Sequence, residues 1–140
     1  MSEQNKKYTP FYWMTEPGIT PQNHAAKEFV NPAQIPWTDW LMPGTHFKLL
    51  YCDVANGFFT ILMKVDAGTT ATVHWHLGTA QAYILEGGFH YHEDDKGNTE
   101  FAYTCETGGS VHQPHSPEGS VMLGIMHGPI AGYHEGKLVV

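Results

Sequence analysis

Basic residues are scarce in this chain. Seven Lys and Arg face 14 Asp and Glu, for a net charge of −7 and a pI near 5.7. Phosphate backbones are bound by clustered Lys and Arg, so this balance argues against a nucleic-acid surface. No stretch approaches the 18 or so consecutive apolar residues of a membrane helix. The opening Met1-Ser-Glu-Gln-Asn-Lys-Lys7 is not followed by the apolar core of a signal peptide. Cytoplasmic residence is therefore expected. Only Cys52 and Cys105 are present, and without a secretion signal both are expected as reduced thiols. What is abundant is apolar and aromatic surface, 41% and 13% of 140 residues, which suits one compact domain with a real core.

The chain divides into two parts. Residues 1–45 are interrupted by Pro10, Pro17, Pro21, Pro32, Pro36 and Pro43, which break every short periodic stretch. The same segment holds Phe11, Tyr12, Trp13, Trp37 and Trp40, too much apolar area to leave in water at about 25 cal/mol per Å². It is expected to be irregular and to wrap over the barrel or a neighbouring subunit. Residues 46–140 read as a single all-β domain of short strands. These are His46–Cys52, Phe58–Val65, the stretch around His74, Gln81–Glu86, Phe89–Glu93, Glu100–Glu106, Ser110–His112, Ser120–His127 and a last stretch ending at Val140. Asn56-Gly57 is a hairpin signal and Gly87-Gly88 a turn signal. Many short strands with regular turns point to an all-β barrel or sandwich.

The chemistry concentrates at His74-Trp75-His76. Residues two apart on a strand point the same way, about 6.6 Å apart along the backbone, so both imidazoles face one side. Ring nitrogens bind transition metals at about 2.0–2.1 Å, so the pair can form two legs of a site. Two histidines on a half-buried strand are more often ordinary packing or surface residues, so the triplet alone is a weak signal. His90-Tyr-His92 repeats the pattern beside acidic Glu93-Asp-Asp95, where a surface pair is expected. His24, His46 and His134 are expected to be structural or exposed. Tyr83 is expected in the core, as are Met63, Met122 and Met126. Glu86 and Glu106 are expected at exposed turns, and Glu118 is a lid candidate.

Gly68-x5-His74-x-His76, a strand ending at Gly87 or Gly88, and then Gly109-x-x-His112 resemble the two-part signature of the cupin superfamily. The likeness extends to Ile35-Pro-Trp37, Phe47–Leu50, Phe59–Leu62, Ala82–Gly87 and Gly128-Pro129. These look like the small single-domain cupins that include 2,4'-dihydroxyacetophenone dioxygenase and the acetylacetone-cleaving dioxygenase. The resemblance implies a double-stranded β-helix, or jelly-roll barrel. His112 becomes the third metal ligand beside His74 and His76, preferred to His115 because it fits Gly109-x-x-His. Two departures matter. Ala80 and Gln81 occupy the positions where many cupins add a glutamate ligand, and Thr107 stands where a proline is usual. The site thus reads as three histidines without a carboxylate, with Gln81, His115 and His127 as groups that would assist around it.

Three neutral imidazoles leave a divalent ion its full charge, which suits an anionic bidentate substrate such as a deprotonated diketone. Fe(II) is the expected ion because it is redox-active and zinc is not; Zn, Ni and Mn are alternatives. The reaction implied by the resemblance is O2-dependent cleavage of a carbon–carbon bond next to a carbonyl in a small diketone or hydroxyketone. A non-redox isomerase or hydrolase, or a non-catalytic binding module, stays open. A homodimer or homotetramer is expected.

Overall fold

The computed structural model describes residues 30–40, 42–91, 95, 99–134 and 136–139. The N-terminal stretch 1–29, with His24 and the aromatic run Phe11–Trp13, lies outside the described residues, as does His92. Among those described, helix is limited to one 3-10 turn at Pro32–Gln34, begun by the Asn31 side chain accepting from the Ala33 amide. The rest is strand and turn. In chain order the strands are β1 (Thr38–Asp39), β2 (Thr45–Asp53), β3 (Phe58–Val65), β4 (Thr69–Thr70), β5 (His74–His76) and β6 (Ala80–Gly87). They continue as β7 (Tyr103–Glu106), β8 (Val111–His112), β9 (His115–Ser116), β10 (Ser120–His127), β11 (Ile130–His134) and β12 (Lys137–Val139).

One sheet runs β1-β2-β3-β10-β6-β7, a second runs β12-β11-β5-β8, and β4-β9 forms a small third pair. The pairings are antiparallel throughout. The two larger sheets face each other across a cavity, which makes the fold a cupin-type jelly-roll barrel.

Period-2 alternation explains which residues enter the core. On β10, Ser120, Met122, Gly124 and Met126 are buried while the residues between them are more open. The inward row joins Leu49, Ile61, Ala80 and Met126 into one cluster, and Ala82, Ile84 and Met122 into another. Ile61 and Ile84 are almost fully buried, and each such side chain contributes about 1.5–3 kcal/mol. The β2–β3 hairpin is closed by Asp53, whose carboxylate accepts from the Asn56 side-chain amide at 2.7 Å, with Gly57 at φ +65°.

Phe58–Val65 and Ser120–His127 have the expected bounds. Four expectations change. Among the described residues of the expected Phe89–Glu93 strand, His90 makes a single bridge to His115. The expected strand from Glu100 starts only at Tyr103, because Phe101 adopts φ +66° and turns the chain. Tyr83, expected in the core, is 40% exposed, since alternation from buried Ala82 and Ile84 places it on the outer face. The segment expected to be irregular up to residue 45 contributes β1, which pairs with β2 at Thr38–Phe47 and Asp39–His46.

Candidate metal centre

β5 supplies two of the site's side chains. His74 and His76 are both buried, and Trp75 between them turns outward against the Tyr133 ring. β8 supplies the third, because its register sets His112 directly opposite His74. The turn before β8 places it. Gly109 takes φ +86°, and its amide donates to the His76 carbonyl at 2.7 Å, tying β8 to the end of β5. Gly78 lets β10 close over that end; a Cβ there would lie 1.7 Å from the His127 carbonyl oxygen.

The three ring nitrogens converge. His112 Nε2 lies 3.1 Å from both His74 Nε2 and His76 Nε2. Cis ligands on an ion about 2.1 Å away would be separated by about 3 Å. His74 Nδ1 donates to the Thr72 carbonyl at 2.9 Å, which fixes its tautomer and leaves Nε2 with a bare lone pair. Burial pushes the His74 imidazole below its ordinary range, and burial does the same to His112, opposed in part by the nearby Glu106 charge. Neutral imidazoles are the form that binds metal. The Tyr91 ring packs against His112, with centroids 5.0 Å apart.

A carboxylate also reaches the site. Glu106 Oε2 lies 2.8 Å from His76 Nε2 and 3.5 Å from His112 Nε2, and its side chain is only 15% exposed. This corrects the expected exposed position of Glu106, while the converging ligand set stays the three histidines. The cause is sheet register. β7 alternates with Tyr103 and Cys105 outward, and Glu106 pairs with buried Ala80. Two such nitrogen pairs and a carboxylate contact cannot all be bridged by the one proton available to each neutral ring. A cation among these atoms satisfies every contact at once, so the donor set fits a divalent metal. His74, His76 and His112 are the set whose ligand atoms lie within 4.8 Å of one another.

The other candidate residues are distributed differently. His115 lines the same cavity, and its Nδ1 lies 2.7 Å from Thr70 Oγ1 and 3.1 Å from the Thr69 carbonyl. It is not part of the converging set. Gln81 borders the cavity, but its amide has other partners. The carbonyl oxygen accepts from Tyr103 Oη at 2.8 Å, and the nitrogen lies 3.5 Å from His127 Nε2. His127 itself is exposed, with its ring edge-on to Phe58. The structure therefore brings His115 to the cavity and leaves His127 outside. His90 stands with its ring beside that of His115. Met63, Met122, Met126, Phe89 and Ile130 give the cavity an apolar wall facing the histidines. Both cysteines are free.

No curated protein sequence is a significant match to this chain. Among solved structures, the acetylacetone dioxygenase of Acinetobacter johnsonii aligns with 21% identity and a TM-score of 0.69, covering 100% of this chain and 90% of that one. A candidate acetylacetone dioxygenase of Methylibium petroleiphilum aligns with 20% identity and a TM-score of 0.70, covering 81% of this chain and 86% of that one. The Rhodobacter sphaeroides complex of SigE with the anti-sigma factor ChrR aligns with 13% identity and a TM-score of 0.54, covering 75% and 55%. At these identities the likeness is one of fold. The ChrR cupin-like domain family matches residues 25–131, most of the sequence, and the chain belongs to that family.

Proposed function

We propose that this protein is a mononuclear metal enzyme, a non-haem Fe(II) dioxygenase that cleaves a carbon–carbon bond next to a carbonyl in a small diketone or hydroxyketone. The observation that carries the reading is the convergence of three buried imidazole nitrogens at the wall of an apolar cavity. His74, His76 and His112 would hold the ion through their converging nitrogens, and Glu106, 2.8 Å from His76 Nε2, would add its negative charge beside it. Ferrous iron, if held there, would supply redox chemistry toward O2 that zinc cannot. The methionine and phenylalanine wall takes up the apolar ends of the substrate and excludes water from them. His115, fixed by Thr69 and Thr70, lines the same cavity and would meet a substrate held there. The resemblance to the diketone-cleaving cupins supports the reaction type. A homodimer or homotetramer is part of the same reading, as is a cytoplasmic setting; no helix among the described residues is long and apolar enough to cross a membrane.

One observation favours a second reading. With Glu106 as a fourth ligand the set becomes His3Glu, and a four-coordinate zinc held by all four would keep no open position for a substrate. Such a protein would be a binding module, or a zinc or nickel isomerase or hydrolase if a position opened. The test is purification from iron-supplemented cells without chelators, followed by metal analysis and oxygen consumption on a panel of β-diketones and hydroxyacetophenones. Stoichiometric iron with substrate-dependent oxygen uptake is expected. Tight zinc with no uptake would replace the dioxygenase by the second reading.

A further inference from the structure

The two larger sheets turn different faces to the outside. On the six-stranded sheet, Lys48, Thr60, Lys64 and Gln81 interrupt the outward apolar positions. On the four-stranded sheet β12-β11-β5-β8, no charged side chain does so among the described residues. There His74, His112 and Gly132 share the inward side, so register and alternation turn Trp75, Val111, Tyr133 and Leu138 outward. Val111 pairs with Trp75 and Tyr133 with Leu138. The Trp75 and Tyr133 rings meet on this side, with centroids 6.2 Å apart. Val73 and Leu77 flank Trp75 at two-residue spacings, and the Leu77 amide prolongs the ladder by donating to the Pro129 carbonyl at 3.0 Å. Val73, Leu77, Val111, Tyr133 and Leu138 are each between 49% and 64% exposed. An antiparallel sheet that meets water on one side shows polar residues there. A contiguous apolar face in their place marks a contact surface.

Area and charge narrow the occupant. At roughly 100 Å² of exposed surface per side chain, the six positions offer on the order of 600 Å². That is most of the about 800 Å² that a standard interface takes from each partner, and a polar rim supplies the remainder. The chain carries a net charge of −7, and none of the six side chains is charged. Neither a nucleic acid nor an anionic membrane surface is attracted to such a face. A sheet face packs on another sheet about 10 Å away, with the strands about 30° apart. A second copy of this chain supplies that surface with the same twist. A two-fold axis beside the Trp75–Tyr133 pair sets the six side chains against themselves, with the two aromatic rings as the central anchors.

We propose that two copies of this chain associate through the outer face of the four-stranded sheet, around Trp75 and Tyr133. This gives the homodimer of the proposed function a defined surface, and it stands without the metal chemistry. Sedimentation velocity of the purified full chain is expected to show a dimer at micromolar concentration. The dimer should tighten as salt rises from about 0.05 to about 0.5 M, because screening relieves the repulsion between acidic copies and leaves an apolar contact intact. A monomer at every salt concentration would overturn the proposal. Tyr133→Glu combined with Leu138→Glu is expected to weaken the dimer at least about 100-fold while the metal content stays that of the wild type. Retained metal separates loss of the dimer from loss of the metal centre. Tyr83→Glu, on the six-stranded sheet, should leave the dimer intact. A dimer that survives the double substitution has its contact elsewhere, and the proposal is then wrong. Leu138→p-benzoylphenylalanine, prepared as a mixture of light and heavy isotopic forms, reads the contact without adding a charge. Mixed-isotope adducts to Trp75, Val111 or Tyr133 are expected; adducts confined to isotopically uniform chains would mean that the chain covers its own face and would overturn the dimer.

Discussion

Two histidine clusters in this molecule are built from the same side chain and reach opposite electrostatic states. In the metal centre, His74 and His112 are buried against other imidazoles, and burial lowers their proton affinity. On the outer face, His46 bridges two carboxylates, with Nδ1 2.7 Å from Asp39 Oδ1 and Nε2 3.0 Å from Asp66 Oδ2. Those hydrogen bonds, Asp66 first and Asp39 second, raise its proton affinity. The first arrangement prepares bare lone pairs for a cation. The second favours the protonated ring, which staples β1 to the turn after β3. Sequence neighbours do not distinguish them; partners across the sheets do.

The sharpest way to break the contrast is to remove a converging nitrogen. His112→Ala or His76→Ala is expected to weaken metal binding by well over 100-fold, beyond the range that outer partners command. Equilibrium dialysis against a metal buffer reads it. His46→Ala should leave the metal content unchanged. Next in size is Glu106→Gln, which keeps the shape and removes the charge. A loss on the order of 10- to 100-fold in metal affinity or turnover is expected, and an unchanged affinity would make Glu106 a bystander.

The pH responses of the two clusters should have opposite signs. The folded-state values of His74 and His112 lie below the ordinary 6.5. Their contribution to the metal-free protein is full above about pH 6.5 and is lost as pH falls through that value toward the lowered ones. Comparing wild type with His74→Gln at pH 7.5 and 5.5 should show the acid-induced fall in melting temperature shrink by a few degrees in the variant. His46 is raised instead. Its contribution is present below about pH 6.5 and is lost as pH rises through the raised value. His46→Gln should therefore lower the melting temperature by about 1–2 °C at pH 6 and by less at pH 9. A larger deficit at pH 9 would contradict the bridge.

Much of the metal centre was legible because its signals are local. The His74-x-His76 spacing sets two rings on one side of a strand whatever surrounds it, and Gly109-x-x-His112 marks a turn that needs positive φ before the third ring. Glu106 was not legible. Its approach to His76 depends on β7 pairing with β6 so that Glu106 meets Ala80, a register between distant segments that composition does not reveal. Alternation along Tyr103–Glu106, two exposed residues interleaved with two half-buried ones, would have been the clue. Tyr83 failed for a related reason. A run of apolar residues reads as a strand covered on both faces, but alternation with buried Ala82 and Ile84 turns Tyr83 outward, where it is exposed. Of the His90-Tyr-His92 repeat, His90 is engaged by the His115 backbone and His92 lies outside the described residues.

The central claim is that one divalent ion sits among His74, His76 and His112. X-ray absorption at the metal edge of the protein loaded with a single equivalent of iron tests it most directly. Three imidazole nitrogens at about 2.0–2.1 Å are predicted, falling to two in His112→Ala whenever residual metal can be measured. A spectrum with fewer than three imidazoles in the wild type, or one unchanged by His112→Ala, would contradict the account.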